Sequence, residues 1–141
     1  MKRRFPGLVI LASFFSLAGC ASTRVVDRAS CSSLCQAKQP LDKTLKVISD
    51  MGFKYVDLSC LPWAPHISVP AMEKDFEAEA KRVESALATY HLRVSNLTFD
   101  PIEARPWDVY EKQFRLVVKM AERTKARLIN IMAPSTKADR Q

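Results

Sequence analysis

The chain has 141 residues, with 22 Lys and Arg against 15 Asp and Glu, for a formal charge of +7. Apolar residues make up 48% and only three residues are glycine. That excludes a disordered or collagen-like polypeptide and suits one small domain with its own core. The basic side chains are scattered among acidic ones instead of gathered on one face, so no nucleic-acid partner is expected.

Lys2, Arg3 and Arg4 open the chain, the apolar run Leu8–Leu17 follows, and Leu17-Ala18-Gly19-Cys20 closes it. Basic charge, a short apolar run and small residues before a cleavage point are the pattern of a secretory signal. The ten residues of that run are too few for a bilayer core, which takes roughly 20. Residues 1–19 therefore read as a signal peptide. Its removal takes away three basic residues and no acidic one, leaving a charge of +4. The Leu-Ala-Gly-Cys ending resembles the lipobox of bacterial lipoproteins at every position. In that family the cysteine thiol is diacylated, the signal is cut in front of it, and the new amino terminus is acylated. The resemblance implies lipidation of Cys20 and stable anchoring, at about 0.8 kcal/mol per buried CH₂. It places the protein in the bacterial cell envelope, facing the periplasm. Ala21, where an Asp would be a retention signal, points to the outer membrane. Arg3-Arg4 is a poor twin-arginine signal, because no Ser or Thr precedes it and Phe5-Pro6 follows.

Residues 20–30 read as the lipidated tether and 31–141 as the domain. A strand diluted by Ser and Cys falls between Val25 and Leu34. Cys31, Cys35 and Cys60 allow one disulfide in an oxidising compartment, and the sequence leaves all three pairings open. Zinc needs four ligands at suitable spacing, which three cysteines and a distant His66 do not supply. Pro40 then opens a helical pattern with Leu41, Leu45 and Ile48 on one face and Gly52 as its stop. Lys54 to Cys60 alternates polar and apolar as a strand does. A second helical stripe runs through Met72, Phe76, Ala80, Val83, Leu87 and Tyr90, backed by charged residues. Arg93 to Phe99 alternates less cleanly. Pro106 precedes the third stripe, Tyr110, Phe114, Val117 and Ala121, and Arg127 to Met132 forms the last strand pattern.

Basic residues open these strands at 54, 93 and 127, spacings that suit one helix-plus-strand unit. The expectation is α/β: about four parallel strands with three helices and right-handed connections. No glycine-rich phosphate loop opens any helix, so neither a P-loop nor a dinucleotide fingerprint is present.

Pro40-Leu41-Asp42-Lys43-Thr44-Leu45-Lys46-Val47-Ile48-Ser49-Asp50-Met51-Gly52-Phe53-Lys54-Tyr55-Val56-Asp57-Leu58 is similar to the opening of xylose-isomerase-like TIM barrels, the sugar phosphate isomerase and epimerase family. Leu87 to Val94 is similar to that family's second helix entering its third strand, and Ala121 to Ile131 to its third helix entering the fourth. The resemblance covers residues 25 to 134 and implies a partial (β/α)₈ TIM barrel. A full barrel takes about 250 residues, so the chain reads as the first half of one, a truncated product. It further implies metal-assisted proton transfer on a sugar or polyol, with a divalent metal held by Glu, Asp, His and Glu on later strands. No position here matches those ligands, so no metal site is assigned to this chain.

Reacting groups of such barrels sit at the C-terminal ends of the strands. The candidates for binding a sugar or polyol are Asp57, Trp63, His66, Asn96 and Asn130, with Ser59 and Asp100 nearby. Asp57 takes the acidic strand position, and its bland reading is a polar group filling the barrel interior. His66 suits a proton shuttle or ligand, and Trp63 a stacking platform, unless both belong to a surface loop stiffened by Pro62 and Pro65. His91 is placed to meet helix-end carbonyls. Three functions follow for testing: an isomerase-like lipoprotein inactive on its own, a non-catalytic binding or assembly module that self-associates through an open sheet edge, and a complete small flavodoxin-like domain.

Overall fold

The computed structural model describes residues 28–99 and 106–131. The signal peptide, Cys20, nearly all of the tether and Asp100 lie outside them. The chain forms β1 (Ser30–Ser32), a 3₁₀ turn (Ser33–Gln36), α1 (Leu41–Asp50), β2 (Tyr55–Cys60), α2 (Val69–Lys74), α3 (Phe76–Thr89), β3 (Arg93–Phe99), α4 (Trp107–Thr124) and β4 (Leu128–Ile131). The strands make one sheet in the order β1-β2-β3-β4, every pair parallel. The expected α/β class with four parallel strands is thus present. Among the described residues no helix is long and apolar enough to cross a membrane.

The helices cover one face. Val56, Leu58 and Cys60 of β2 and Val94, Leu97 and Phe99 of β3 are buried in one cluster with Leu45, Ile48, Met72, Val83, Val117 and Met120. Each fully buried aliphatic side chain of this kind stabilises the fold by about 1.5–3 kcal/mol. Phe99 stacks on Tyr110 at a ring separation of 5.8 Å and lies 6.2 Å from Phe114. The aromatic half of the third stripe therefore packs over the end of β3.

Two features depart from the expected pattern. The stripe from Met72 to Tyr90 predicts one helix, yet the chain makes two, so there are four α-helices in place of three. Asp75 is the reason. It adopts an extended conformation (φ −153°, ψ 95°), its own N–H closes α2 on Ala71, and its side chain accepts from the Ala78 N–H to start α3. An Asp that caps a helix start offers the backbone an alternative to helix continuation, and the apolar spacing carries on across the break. The second departure is a β-bulge. Val56 pairs with Val94 and Asp57 with Asn96, which leaves Ser95 as an extra residue in β3. Val94 and Leu97, three apart, both face the helices as a result, which explains the imperfect alternation of this strand.

The three helices that lead directly into β2, β3 and β4 end on a left-handed residue: Gly52 (φ 86°), His91 (φ 53°) and Lys125 (φ 56°). After α3 the Leu92 N–H bonds to Leu87 O and the His91 N–H to Ala88 O. After α4 Ala126 bonds to Ala121 and Lys125 to Glu122. These are Schellman closures. They turn the chain straight into the next strand, where the Arg93 N–H donates to Lys54 O and the Arg127 N–H to Ser95 O.

Candidate functional site

The sheet face turned away from the helices is polar. Register places Ser32, Asp57 and Asn96 in one row and Ser59, Thr98 and Asn130 in the next, toward the C-terminal ends of the strands. The Thr98 hydroxyl donates to Asp57 Oδ1 at 3.0 Å, and Asn96 Nδ2 donates to Thr98 Oγ1 at 3.4 Å. The bulge sets this up. The extra Ser95 puts Asn96 and Thr98 on the same face as Asp57, with Asn96 opposite it, and the Ser95 hydroxyl is held by Val56 O at 3.1 Å. Asn96 is 7% exposed, yet its Oδ1 is the one buried side-chain polar atom among the described residues without a hydrogen-bond partner. Leaving a buried acceptor unpaired costs about 1–3 kcal/mol, and such a group calls for a specific explanation. Asn130 sits beside Thr98 in the register and is exposed.

Of the five candidate residues, the fold brings Asp57 and Asn96 together, with Asn130 one strand away. Trp63 stands on the loop after β2 and is 59% exposed. The other loop candidate, His66, is 2% exposed and belongs to a separate cluster. Its Nε2 lies 3.1 Å from Gln39 O and 3.3 Å from Thr44 Oγ1, while Nδ1 lies 3.0 Å from Ser33 Oγ and 3.1 Å from Ser59 Oγ. A carbonyl only accepts, so Nε2 carries the proton and Nδ1 accepts. The Ser59 hydroxyl donates to Ala64 O, and Ser33 Oγ accepts from the Ser59 N–H, leaving its own proton for Nδ1. Both ring nitrogens are thereby engaged inside the protein. Burial pushes the imidazole pKa down, outweighing the opposite pull of the Gln39 and Gln36 carbonyls, and Arg82 adds to the lowering.

Beneath this cluster, Glu79 is 6% exposed and accepts from Arg82 Nη2 at 2.7 Å and from the Ser68 N–H at 2.8 Å, while Arg82 Nη2 also donates to His66 O at 2.8 Å. Burial pushes the Glu79 carboxyl up, but Arg82 and the Ser68 N–H together hold it below the usual carboxylate range. The loop carrying Trp63 and His66 is thus tied to α3 by an ion pair with a buried carboxylate and a partly exposed guanidinium.

Sequence reading does not single out Thr98, Ser95, Ser33 or Thr44. The Ser95-Asn96 pair interrupting an alternating strand is the one visible signal of the bulge. Hydroxyl residues that satisfy a buried imidazole from three separate segments leave no linear pattern.

No family model matches the chain, and neither a curated protein nor a solved structure does. Among the described residues no group of three or more His, Cys, Asp or Glu side chains is placed to hold a metal ion. Among the described residues the polar face offers one carboxylate with neutral neighbours, a donor set that does not match the Glu, Asp, His and Glu shell of the resembled family. Chemically, the face mixes acceptors and donors: a carboxylate offers about four lone-pair sites, of which Thr98 takes one, the amide oxygen of Asn96 has no partner, and the exposed Asn130 amide adds two N–H donors.

Proposed function

We propose that this chain is a lipid-anchored envelope protein built on the first arc of a xylose-isomerase-like (β/α)₈ barrel, and that its polar sheet face holds a sugar or polyol without turning it over. The strand order supports the arc. It runs 1-2-3-4 without a reversal and the helices gather on one face. A flavodoxin-like or other doubly wound sheet reverses once and is covered on both sides. In a barrel the uncovered face is the interior and the C-terminal strand ends carry the site; Thr98 and Asn130 lie toward those ends of the uncovered face, and Asp57 and Asn96 lie one row below them at mid-strand.

The observation that carries the ligand class is the unpaired Asn96 Oδ1. That atom only accepts, as do the carboxylate oxygens of Asp57, so a fitting ligand brings several donors on a small frame. A polyhydroxyl compound does so. The same face carries donors as well, the amide N–H groups of Asn96 and Asn130 and its Ser and Thr hydroxyls, which suit the oxygens of such a compound. Binding is the activity assigned to this chain, and turnover is not part of the proposal.

The test is calorimetric titration of the full chain in detergent micelles with a panel of ketoses, polyols and sugar phosphates. At least one is expected to saturate. Asn96→Leu is expected to weaken that ligand about tenfold or more, equivalent to about 1.4 kcal/mol. It should leave stability unchanged or raised by about 1 kcal/mol, because an unpaired buried acceptor disappears. Undiminished affinity in the variant, or a panel without any saturating ligand, ends the proposal.

A further inference from the structure

The three cysteines of the domain are not equivalent in space. Cys31 Sγ and Cys35 Sγ lie 4.0 Å apart, van der Waals contact between sulfurs. Cys31 sits in β1 and packs against the core, while Cys35 is exposed on the 3₁₀ turn one step along. Cys60, by contrast, is 2% exposed inside the core formed with the helices. The turn between the first two is pinned by local bonds: the Ser32 hydroxyl accepts from the Leu34 N–H at 3.3 Å, and the Ser33 hydroxyl reaches the His66 ring.

We infer that Cys31 and Cys35 form a disulfide that locks this turn against the His66 cluster, and that Cys60 stays a free thiol. Side-chain rotation has only to close the gap to the roughly 2.0 Å of an S–S bond. Reaction starts at the exposed member. Cys35 as thiolate attacks one sulfur of a donor disulfide, such as oxidised glutathione or an oxidoreductase disulfide, forming a mixed disulfide and releasing one donor thiol. Cys31 then loses its proton and attacks Cys35 Sγ, displacing the second donor thiol. Two protein thiols are oxidised, one donor disulfide is reduced, and the two protein protons end on the two donor thiols. Burial and the neighbouring Cys35 push the Cys31 thiol up to about 11, so Cys31 acts second, where proximity to the mixed disulfide replaces thiolate abundance. Burial, with Asp57 and Glu79, pushes Cys60 up to about 12, which keeps it out of the exchange.

The bridge reaches beyond its own turn, because Ser33 stands between the two cysteines. Ser33 supplies the hydroxyl that His66 Nδ1 accepts from, and that same oxygen takes the Ser59 N–H at 3.1 Å. Closing the ring holds that hydroxyl in place, so the redox state of the turn is felt at the imidazole.

The experiment uses the purified full chain, equilibrated with an excess of oxidised glutathione, alkylated and digested with trypsin. Both cysteines fall on the one peptide 29–38, while Cys60 falls on 55–74. The expected product is the 29–38 peptide lighter by two hydrogens, with Cys60 alkylated. Oxidation is expected to raise Tm by about 5 °C or more, as a short ring closure allows. The Cys35→Ser chain is expected to show no change in Tm on adding dithiothreitol. The His66 ring resonances should shift on reduction in the wild type and stay fixed in Cys35→Ser. Overturning results are a glutathione adduct that persists on Cys35, a cross-link from either cysteine to Cys60 or Cys20, or full alkylation of 29–38 under oxidising conditions.

Discussion

At the residue scale, His66 and Asn96 are opposites, and each is diagnostic. The imidazole is buried with both nitrogens engaged, and all the groups around it can be satisfied with one tautomer. The amide is buried with an oxygen left over. A satisfied buried polar network rigidifies a structure, whereas an unsatisfied member lowers stability unless a ligand completes it. The His66 arrangement also has a pH signature. Its folded pKa lies below the ordinary value of 6.5, so the unfolded chain takes up the proton first. Stability is therefore expected to be level above about pH 7 and to fall as pH drops through 6.5. The Glu79 carboxyl, held below its ordinary 4.5, adds stability above that value, and its loss comes only further down, as pH falls through the lowered folded pKa. Urea midpoints measured from pH 8 to 3 separate the two windows. His66→Asn is expected to cost about 2–3 kcal/mol at pH 7.5, since several buried partners lose their bonds, and to remove most of the slope near pH 6. A wild-type protein that gains stability between pH 7 and 5.5 would contradict the neutral, closed cluster.

At the scale of elements, the repeated unit is a helix, a left-handed residue, an apolar residue and a basic residue entering the strand: Gly52-Phe53-Lys54, His91-Leu92-Arg93 and Lys125-Ala126-Arg127. Glycine takes the left-handed region freely, but a residue with a Cβ pays about 1–2 kcal/mol there. Lys125→Gly is accordingly expected to raise stability by about 0.5–1 kcal/mol, less than the full relief because glycine also loosens the unfolded chain. Chemical denaturation of the two chains side by side reads this directly, and a loss of stability in the variant would mean that the Lys125 side chain supports α4. The same unit explains what the sequence made legible. The basic residues at 54, 93 and 127 mark the strand entries because the helices ahead of β2, β3 and β4 each end on a left-handed residue, and the stripes of α1 and α4 are unbroken runs at helical spacing. Asp75 was illegible because its neighbours keep that spacing across the break, so periodicity alone runs straight through. The bulge at Ser95 appears in sequence only as a blemish in an alternation, and its consequence, Asn96 beside Asp57, depends on which strand lies next door. The pair Asp57 and Asn96 was thus visible as two polar residues at strand ends, while the Thr98 that joins them was not.

For the molecule as a whole, the sheet has a covered face and an open one, and among the described residues its edge strand β4 leaves Leu128 65% and Ile131 49% exposed. An exposed edge strand offers unpaired backbone groups to another chain, and a lipid anchor would hold the domain at a surface. Charge alone would not. A basic segment gains about 1 kcal/mol per Lys or Arg only where they cluster at an anionic surface, and here the cations are interleaved with acids. Arg123, for example, is bound to both Glu77 and Glu84 on α3. One acyl chain gives only reversible binding, whereas two or three on Cys20 hold stably. The full chain expressed in a bacterial host is therefore expected to sediment with membranes, to begin at Cys20, and to carry acyl mass on the 20–24 peptide. Cys20→Ser separates the two ways in which residues 1–27 could act. If the lipid is the anchor, the variant leaves the acylated species entirely, and any chain that loses its signal appears in the soluble fraction. If the apolar run Leu8–Leu17 were itself the anchor, wild type and variant would both sediment uncut at the same mass. That run is half the length a bilayer core needs, so the first outcome is the expected one. A wild-type chain recovered processed, unacylated and soluble would remove the anchor from the proposal altogether.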